Sequence, residues 1–351
     1  MSKTEKQSLP LVKGLCSPKK KAFFNGMSVP WEVNGYLEDF AIAKSSGGIF
    51  DLSDHVVIQI EGKEAQDYLQ RMTTVQFKSL NFNTTVHGAF LTGRGGVIAL
   101  GVFRKVRAET FQFLILESLK ERVLEHIEQF HFAEQFLVKD LSDEITIFGC
   151  WSENGVLALE LGVDSTLPSL QVQSVIWQGC NFYSWKDVRR DSLFWVEIKS
   201  SEATEFIEKG LKKGHQLLGR RLFEFFRLQA AVPSAGIELN EKDIILEGDF
   251  NEAVARNKGC YPGQEVVERI FTYGQVNRKL QRVTLWGEAL KTSLLPLSFL
   301  LNGKEVGELV SFEKSPSEPE MAVGLMFVRK EFWESKDIWT TPEGLQAKLA
   351  V

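Results

Sequence analysis

Four cysteines in 351 residues, Cys16, Cys150, Cys180 and Cys260, form no CxxC pair. The five histidines, His55, His87, His126, His131 and His215, contain no HExxH and no pair four residues apart. Neither a disulfide framework nor a zinc site is indicated, and no metal is expected. The glycine-rich run TGRGGVIALG lacks the GxGxxG spacing, and no GxxxxGK[ST] occurs, so neither a dinucleotide fold nor a phosphate-binding P-loop is signalled. The longest stretch without charge, 165–185, is interrupted by Ser, Thr, Gln, Asn and Pro and does not read as a membrane span. MSKTEKQSLP has no apolar core for a signal peptide and carries an acidic residue, so a cytoplasmic location is expected. Excess positive charge is also missing: 41 Lys and Arg against 46 Asp and Glu leave a net charge of −5, which argues against a dedicated nucleic-acid coat.

What is present is an ordinary globular mix, 44% apolar and 25% charged, too long for one core and suited to two or three domains. The clearest pattern runs from Asp51 to Leu141. HVVIQIEG (55–62) reads as a strand. In KEAQDYLQRMTT, Ala65, Tyr68, Leu69 and Met72 share one helical face. TVHGAFL (85–91), GVIALGVF (96–103) and TFQFLILE (110–117) read as strands, with Gly93, Gly95 and Gly96 where the first pair must turn. Ser118 and Glu121 have the spacing of a capping box, and Leu119, Val123, Leu124, Ile127 and Phe130 form a buried stripe after them. FLVKDLS (136–142) closes the segment as a strand. This is the split βαβ, ferredoxin-like order, with two helices on one face of an antiparallel sheet.

A looser copy follows. ITIFGCW, QGCNFYSW and LFWVEIKS are strand-like, and 201–211 and 218–230 are helix-like. From Arg278 onward, RVTLWG, GKEVGELVSF and MAVGLMFVR alternate as strands with little helix pattern, as in a small antiparallel barrel. The fold class is therefore α+β: two ferredoxin-like domains plus a C-terminal antiparallel β-barrel. The expected divisions are 1–50 (an arm and the start of the first domain), 51–145, 146–275 and 276–351. Lys13, Lys19, Lys20 and Lys21 read as a solvated arm. The basic stretch 209–227 (Lys209, Lys212, Lys213, Arg220, Arg221, Arg227) suits a polar helix face, and also a contact with RNA.

NKGCYPGQEVVERI (257–270) is the densest constellation. Gly259 and Gly263 bracket Cys-Tyr-Pro, so the chain can bend sharply with the Cys260 thiol on the outside. QEVVERI reads as a short helix, which puts Cys260 just ahead of a helix N-terminus with Lys258 two residues away. Both influences favour the thiolate, the reactive form. No histidine lies nearby to make a Cys–His pair. Spacing alone favours Cys260 as a small buried hydrophobe in a tight turn, since buried free cysteines are common.

KGCYPGQE resembles the signature of the YgfZ-type folate-binding proteins, relatives of the glycine-cleavage T-protein (aminomethyltransferase). The likeness extends to IFDLSDHVVIQIEGKEAQDYLQRMTT, to FRLQAAVPSAGIEL (226–239), to VNRKL (276–280) and to GKEVGELVS, covering nearly everything from residue 50 onward. It implies a three-domain ring around a central folate pocket and tetrahydrofolate as cofactor. It further implies help in assembling or repairing iron–sulfur clusters, including those of tRNA-modifying enzymes, with iron–sulfur proteins or assembly factors as partners. Cys260 and Lys258 would carry the chemistry. Glu247 falls where the family often has a Glu on the pterin ring, a task suited to a carboxylate that accepts two parallel hydrogen bonds. Arg227 and Arg278 match positions fit for a folate carboxylate or for a structural ion pair. Tyr261 and Gln264 belong to the same signature, Tyr261 packing on the ligand or capping the core.

The departures matter as much. The T-protein hairpin continues G-G-V-I-D-D, with a catalytic Asp, whereas this chain reads Gly95-Gly96-Val97-Ile98-Ala99-Leu100. Hydrocarbon cannot take or stabilise a proton, so that acid–base function is lost. The Asp-Phe of the T-protein signature is replaced by Cys260-Tyr261, and Gln229 stands where the family's arginine helix often has Glu. The scaffold resembles that of a folate-dependent one-carbon transferase without its carboxylate. Transfer on tetrahydrofolate and a folate-free docking module remain as rival expectations.

Overall fold

The computed structural model describes residues 6–291 and 294–350, so residues 1–5 of the expected arm lie outside it. The chain divides into two compact units. One comprises the described residues up to Gln70, Val75–Gly88 and Gly101–Phe223; the other comprises Arg71–Thr74, Ala89–Leu100 and the described residues from Glu224 onward.

The first unit carries two large sheets and a two-stranded hairpin. One runs in the order Thr85–Leu91, Val97–Arg107, Thr110–Leu116, His55–Glu61, Leu137–Asp140, and the tip of its first hairpin belongs to the second unit. Its first and last strands in the chain are neighbours, paired antiparallel from Ile58–Asp140 to Glu61–Leu137, as a split βαβ requires. Thr110–Leu116 is buried at all seven positions, which fits a central strand, and Phe113 stacks on Phe103 with centroids 3.9 Å apart. The helices Ala65–Met72 and Lys120–Gln129 bury Tyr68 and Leu69, and Val123 and Ile127. The capping box does not form. Glu117–Leu119 is a 3-10 turn, the helix starts only at Lys120, and no side chain caps it; Glu117 pairs instead with Lys120 at 3.1 Å.

The other sheet runs Gln173–Trp177, Cys180–Lys186, Leu193–Lys199, Ile145–Trp151, Gly48–Asp51, Leu217–Leu218. Gly48–Asp51 pairs with Trp151 back to Phe148, so residues from the expected N-terminal segment complete this sheet. The helix Ser200–Lys212 packs Ala203, Phe206 and Ile207 into a core with Phe148, Trp177 and Phe182. The N-terminal lysines Lys13, Lys19, Lys20 and Lys21 are exposed, and the chain around them forms local structure. Lys20–Phe24 and Met27–Glu32 form an antiparallel hairpin whose second strand is largely buried.

The 209–227 stretch is not one basic face. In the first unit, Arg220 is buried against Asp54 at 3.0 Å and Arg221 pairs with Glu32 at 2.9 Å, while Lys212 and Lys213 are exposed. In the second unit Arg227 is buried among acids. Lys209 pairs with Glu205 at 2.6 Å, so four of the six cations have an acidic partner.

The second unit ends in a closed antiparallel barrel in the order Arg278–Trp286, Met321–Arg329, Lys304–Lys314, Leu297–Leu301, Trp339–Thr340, Gln346–Leu349. Arg278–Trp286 pairs with both Met321–Arg329 and Gln346–Leu349, which closes it. Val283, Leu285, Phe299, Leu309, Met326 and Trp339 fill its interior. Among the described residues, no helix is long and apolar enough to cross a membrane.

Candidate functional site

The bend at 257–263 lies in the second unit. Asn257, Gly259 and Gly263 all have positive φ, 62°, 89° and 80°, so the chain reverses tightly before the helix Gln264–Tyr273 begins. Gly263 is required for a second reason. A Cβ there would lie 2.7 Å from both the Gly95 Cα and the Thr92 carbonyl oxygen. The hairpin tip Thr92–Gly96, closed by Thr92 N–H donating to the Gly96 carbonyl at 2.9 Å, thus rests on the start of the helix. Its other side is held by Ile245 N–H donating to the Gly95 carbonyl at 3.2 Å.

Cys260 is exposed at this bend, whereas Cys150 and Cys180 are buried and Cys16 is half-buried. The buried-hydrophobe reading of Cys260 does not hold. Lys258 behaves otherwise than its spacing suggests. It is buried, its Nζ donates to the Thr73 carbonyl, and it lies 4.8 Å over the Tyr261 ring. Burial pulls its amine down to about 7. At neutral pH it is only partly charged, and its charge points inward. Tyr261 is buried, with a hydroxyl that has no hydrogen-bond partner among the described residues; burial, and then the nearby Glu268, push it up to about 12. It packs under the bend and lines neither cavity described next.

Glu247 lies in a short 3-10 turn, Ile245–Gly248, and is buried. Its Oε2 accepts from the Ile244 N–H at 3.2 Å and from Arg278 Nη2 at 3.1 Å, leaving Oε1 without a hydrogen bond among the described residues. Arg278 Nη2 also donates to Asp243 at 2.7 Å, and the guanidinium lies 4.2 Å over the Phe327 ring. Glu247 borders two cavities. One, of about 820 Å³, is lined by Glu247, Asn277, Arg278, Arg329, Lys330 and Glu331. The other, of about 390 Å³, takes Val266, Arg269, Ile270 and Tyr273 from one side of the helix that follows the Cys260 bend. That helix connects the exposed thiol to the cavity wall.

The structure thus brings Glu247 and Arg278 together and leaves Cys260, Lys258 and Tyr261 at the other end of the helix. Gln264 is the first residue of that helix, partly exposed, and lines neither cavity. Arg227 is in a different position. It donates to Glu238 from Nη1 at 3.0 Å and Nη2 at 2.8 Å, to Glu224 from Nε at 2.8 Å, and to the Val232 carbonyl at 2.7 Å. These are the contacts that the ion-pair alternative requires. Ala99 is fully buried and Leu100 partly so in the strand Val97–Arg107. Asp243, the closer partner of Arg278, was missed in the sequence, although an acid four residues before Glu247 is visible there. Arg269 and Tyr273 were legible only as helix positions.

Residues 21–158 match the family model of the GCVT N-terminal domain. The chain is 22% identical over 329 residues to an aminomethyltransferase of Natranaerobius thermophilus, covering 88% of this chain and 86% of the relative. It is 23% identical over 326 residues to an aminomethyltransferase of Pelodictyon phaeoclathratiforme, with the same coverage, 88% and 86%. The solved structure of glycine cleavage system aminomethyltransferase T from Bartonella henselae superposes with a TM-score of 0.83 at 17% identity, over 99% of this chain and 97% of that one. The fold is that of an aminomethyltransferase T, and residues 21–158 are similar to the GCVT N-terminal domain.

Proposed function

We propose that the chain is a tetrahydrofolate-binding accessory protein of YgfZ type that supports iron–sulfur enzymes through Cys260. The observation that carries this reading is the helix Gln264–Tyr273, with the one exposed cysteine at the bend before it and the Glu247 cavity along its side. The residues present fit the cofactor. Glu247 keeps one carboxylate oxygen open for the amino-pyrimidine edge of a pterin, and Arg278 fixes its orientation through the other oxygen. Both cavities are in the size range of small-molecule sites. When bound, tetrahydrofolate supplies a nitrogen pair that carries one-carbon units.

The chain's own residues do the rest. Arg278 and Asp243 hold Glu247, and the Gly95–Gly96 turn braces the loop in front of it. Cys260 presents its sulfur to solvent, where the iron–sulfur proteins or assembly factors that depend on it can reach it. A single thiol cannot hold a cluster by itself, so any cluster ligands beyond it come from the partner.

Calorimetry tests the cofactor: tetrahydrofolate binds the wild type, and Glu247→Gln weakens it. Cys260→Ala tests the thiol. The variant folds and binds folate, yet fails to restore iron–sulfur enzymes in a deletion strain; full restoration overturns the role. A second reading, favoured by the relatives named aminomethyltransferase, is aminomethyl transfer, for which tetrahydrofolate would be the acceptor. Against it, positions 99 and 100 are hydrocarbon. Turnover at a catalytic rate with tetrahydrofolate and an aminomethylated lipoyl carrier would establish it.

A further inference from the structure

A cavity of about 880 Å³ lies wholly in the first unit, between its two sheets, and nothing in the folate reading uses it. On its floor is a buried ion pair. Arg104 Nη2, from the strand Val97–Arg107, donates to Glu197 Oε1 of the strand Leu193–Lys199 at 2.5 Å and to Gln112 Oε1 at 2.5 Å. Both charged side chains are more than nine-tenths buried, at 7% and 8% exposure. The pairing is incomplete on both sides. Among the described residues, Arg104 Nε is buried with no partner, Nη1 makes no hydrogen bond, and Glu197 Oε2 accepts none. The Tyr183 ring covers one face of the guanidinium at 4.6 Å and is itself 43% exposed.

We propose that this cavity is a binding site for a free α-amino acid, with the ligand carboxylate on Arg104 and the ligand ammonium on Glu197. The charge pattern selects a zwitterion. A lone anion approaching Arg104 meets the Glu197 carboxylate beside it, and a lone cation approaching Glu197 meets the guanidinium. A ligand carrying both signs satisfies both open edges and adds no net charge to a site where unpaired charge is costly. Burial leaves the Glu197 carboxyl above the usual range despite Arg104 beside it, so a second cation there is favourable. The rim repeats the mixed signs, with Arg107, Lys139 and Lys199 set among Asp143 and Glu144. The volume admits any of the common side chains.

The test is a thermal-shift and calorimetric screen of the full chain against the twenty L-amino acids, followed by two derivatives of whichever responds. The α-amide removes the carboxylate charge and the N-acetyl form removes the ammonium. At least one amino acid raises the melting temperature, both derivatives lose the effect, and Glu197→Gln weakens binding about tenfold or more. The proposal is overturned if no amino acid responds, which leaves the pair a structural tie between sheets. It is also overturned if the N-acetyl form or acetate binds as well as the amino acid, which makes the site a plain anion site. The derivative comparison uses wild-type protein, so it decides even where the Gln variant does not fold.

Discussion

Removing the Arg227 guanidinium should cost stability rather than ligand affinity alone, and the size of the cost follows from its surroundings. Arg227→Met deletes four hydrogen bonds from a side chain that is 6% exposed. The chain keeps two carboxylates in its place, Glu238 at 0% and Glu224 at 8% side-chain exposure. Breaking a buried pair while its partner charges remain costs about 3–5 kcal/mol. That is a large share of the roughly 5–15 kcal/mol by which domains are stable. Urea denaturation followed by tryptophan fluorescence measures the loss, and Glu238→Gln added to Arg227→Met should recover part of it by removing one stranded charge. A loss below about 1 kcal/mol, or a variant of unchanged stability that loses only tetrahydrofolate binding, would refute the framework assignment and return Arg227 to the ligand.

Three further outcomes are expected. Asp187 is buried, and although burial raises its carboxyl, the Arg190 charge and the hydrogen bonds from Arg190 and Trp195 hold it down to about 2. Its stabilisation is complete above the unfolded value of 3.8 and is lost as pH falls through about 2; Asp187→Asn removes about 2 kcal/mol at pH 7 and flattens the acid limb of the stability profile. Lys258 gives the same direction in a higher pH window, because folding there penalises the charged form. With its folded value near 7 against 10.5 unfolded, wild-type stability rises between pH 7 and 10 by an increment that Lys258→Met lacks, read from denaturation midpoints across that range. Gly263→Ala combines a positive φ of 80° with a 2.7 Å approach to backbone, so it destabilises by at least about 1–2 kcal/mol in denaturant titrations and weakens tetrahydrofolate binding by displacing the Thr92–Gly96 turn.

Local pattern carried much of the architecture because strand and helix periods are properties of neighbouring residues. The expected strand 85–91 is observed as Thr85–Leu91, and 110–117 as Thr110–Leu116. The helix expected from QEVVERI is Gln264–Tyr273. What escaped was short or depended on distant partners. Gln173–Trp177 is an edge strand with only alternate positions buried, and Trp339–Thr340 is two residues long, fixed by pairing rather than propensity. Ser118 and Glu121 had capping-box spacing, but Ser118 lies inside a 3-10 turn and Glu121 in the helix that begins after it.

The sequence by itself determined the α+β class, the terminal barrel strands, the sharp bend around Cys260 and the absence of a carboxylate at Ala99 and Leu100. These are matters of composition, periodicity and backbone freedom, all local. Only the tertiary structure decided which charges face one another. It turned Lys258 inward, buried Arg227 and Arg220 against acids, joined Arg278 to Glu247, and left Arg104 and Glu197 half-paired across two sheets. A side chain's charge is written in the sequence, but its partner and its distance from water are set by chain segments tens to hundreds of residues away.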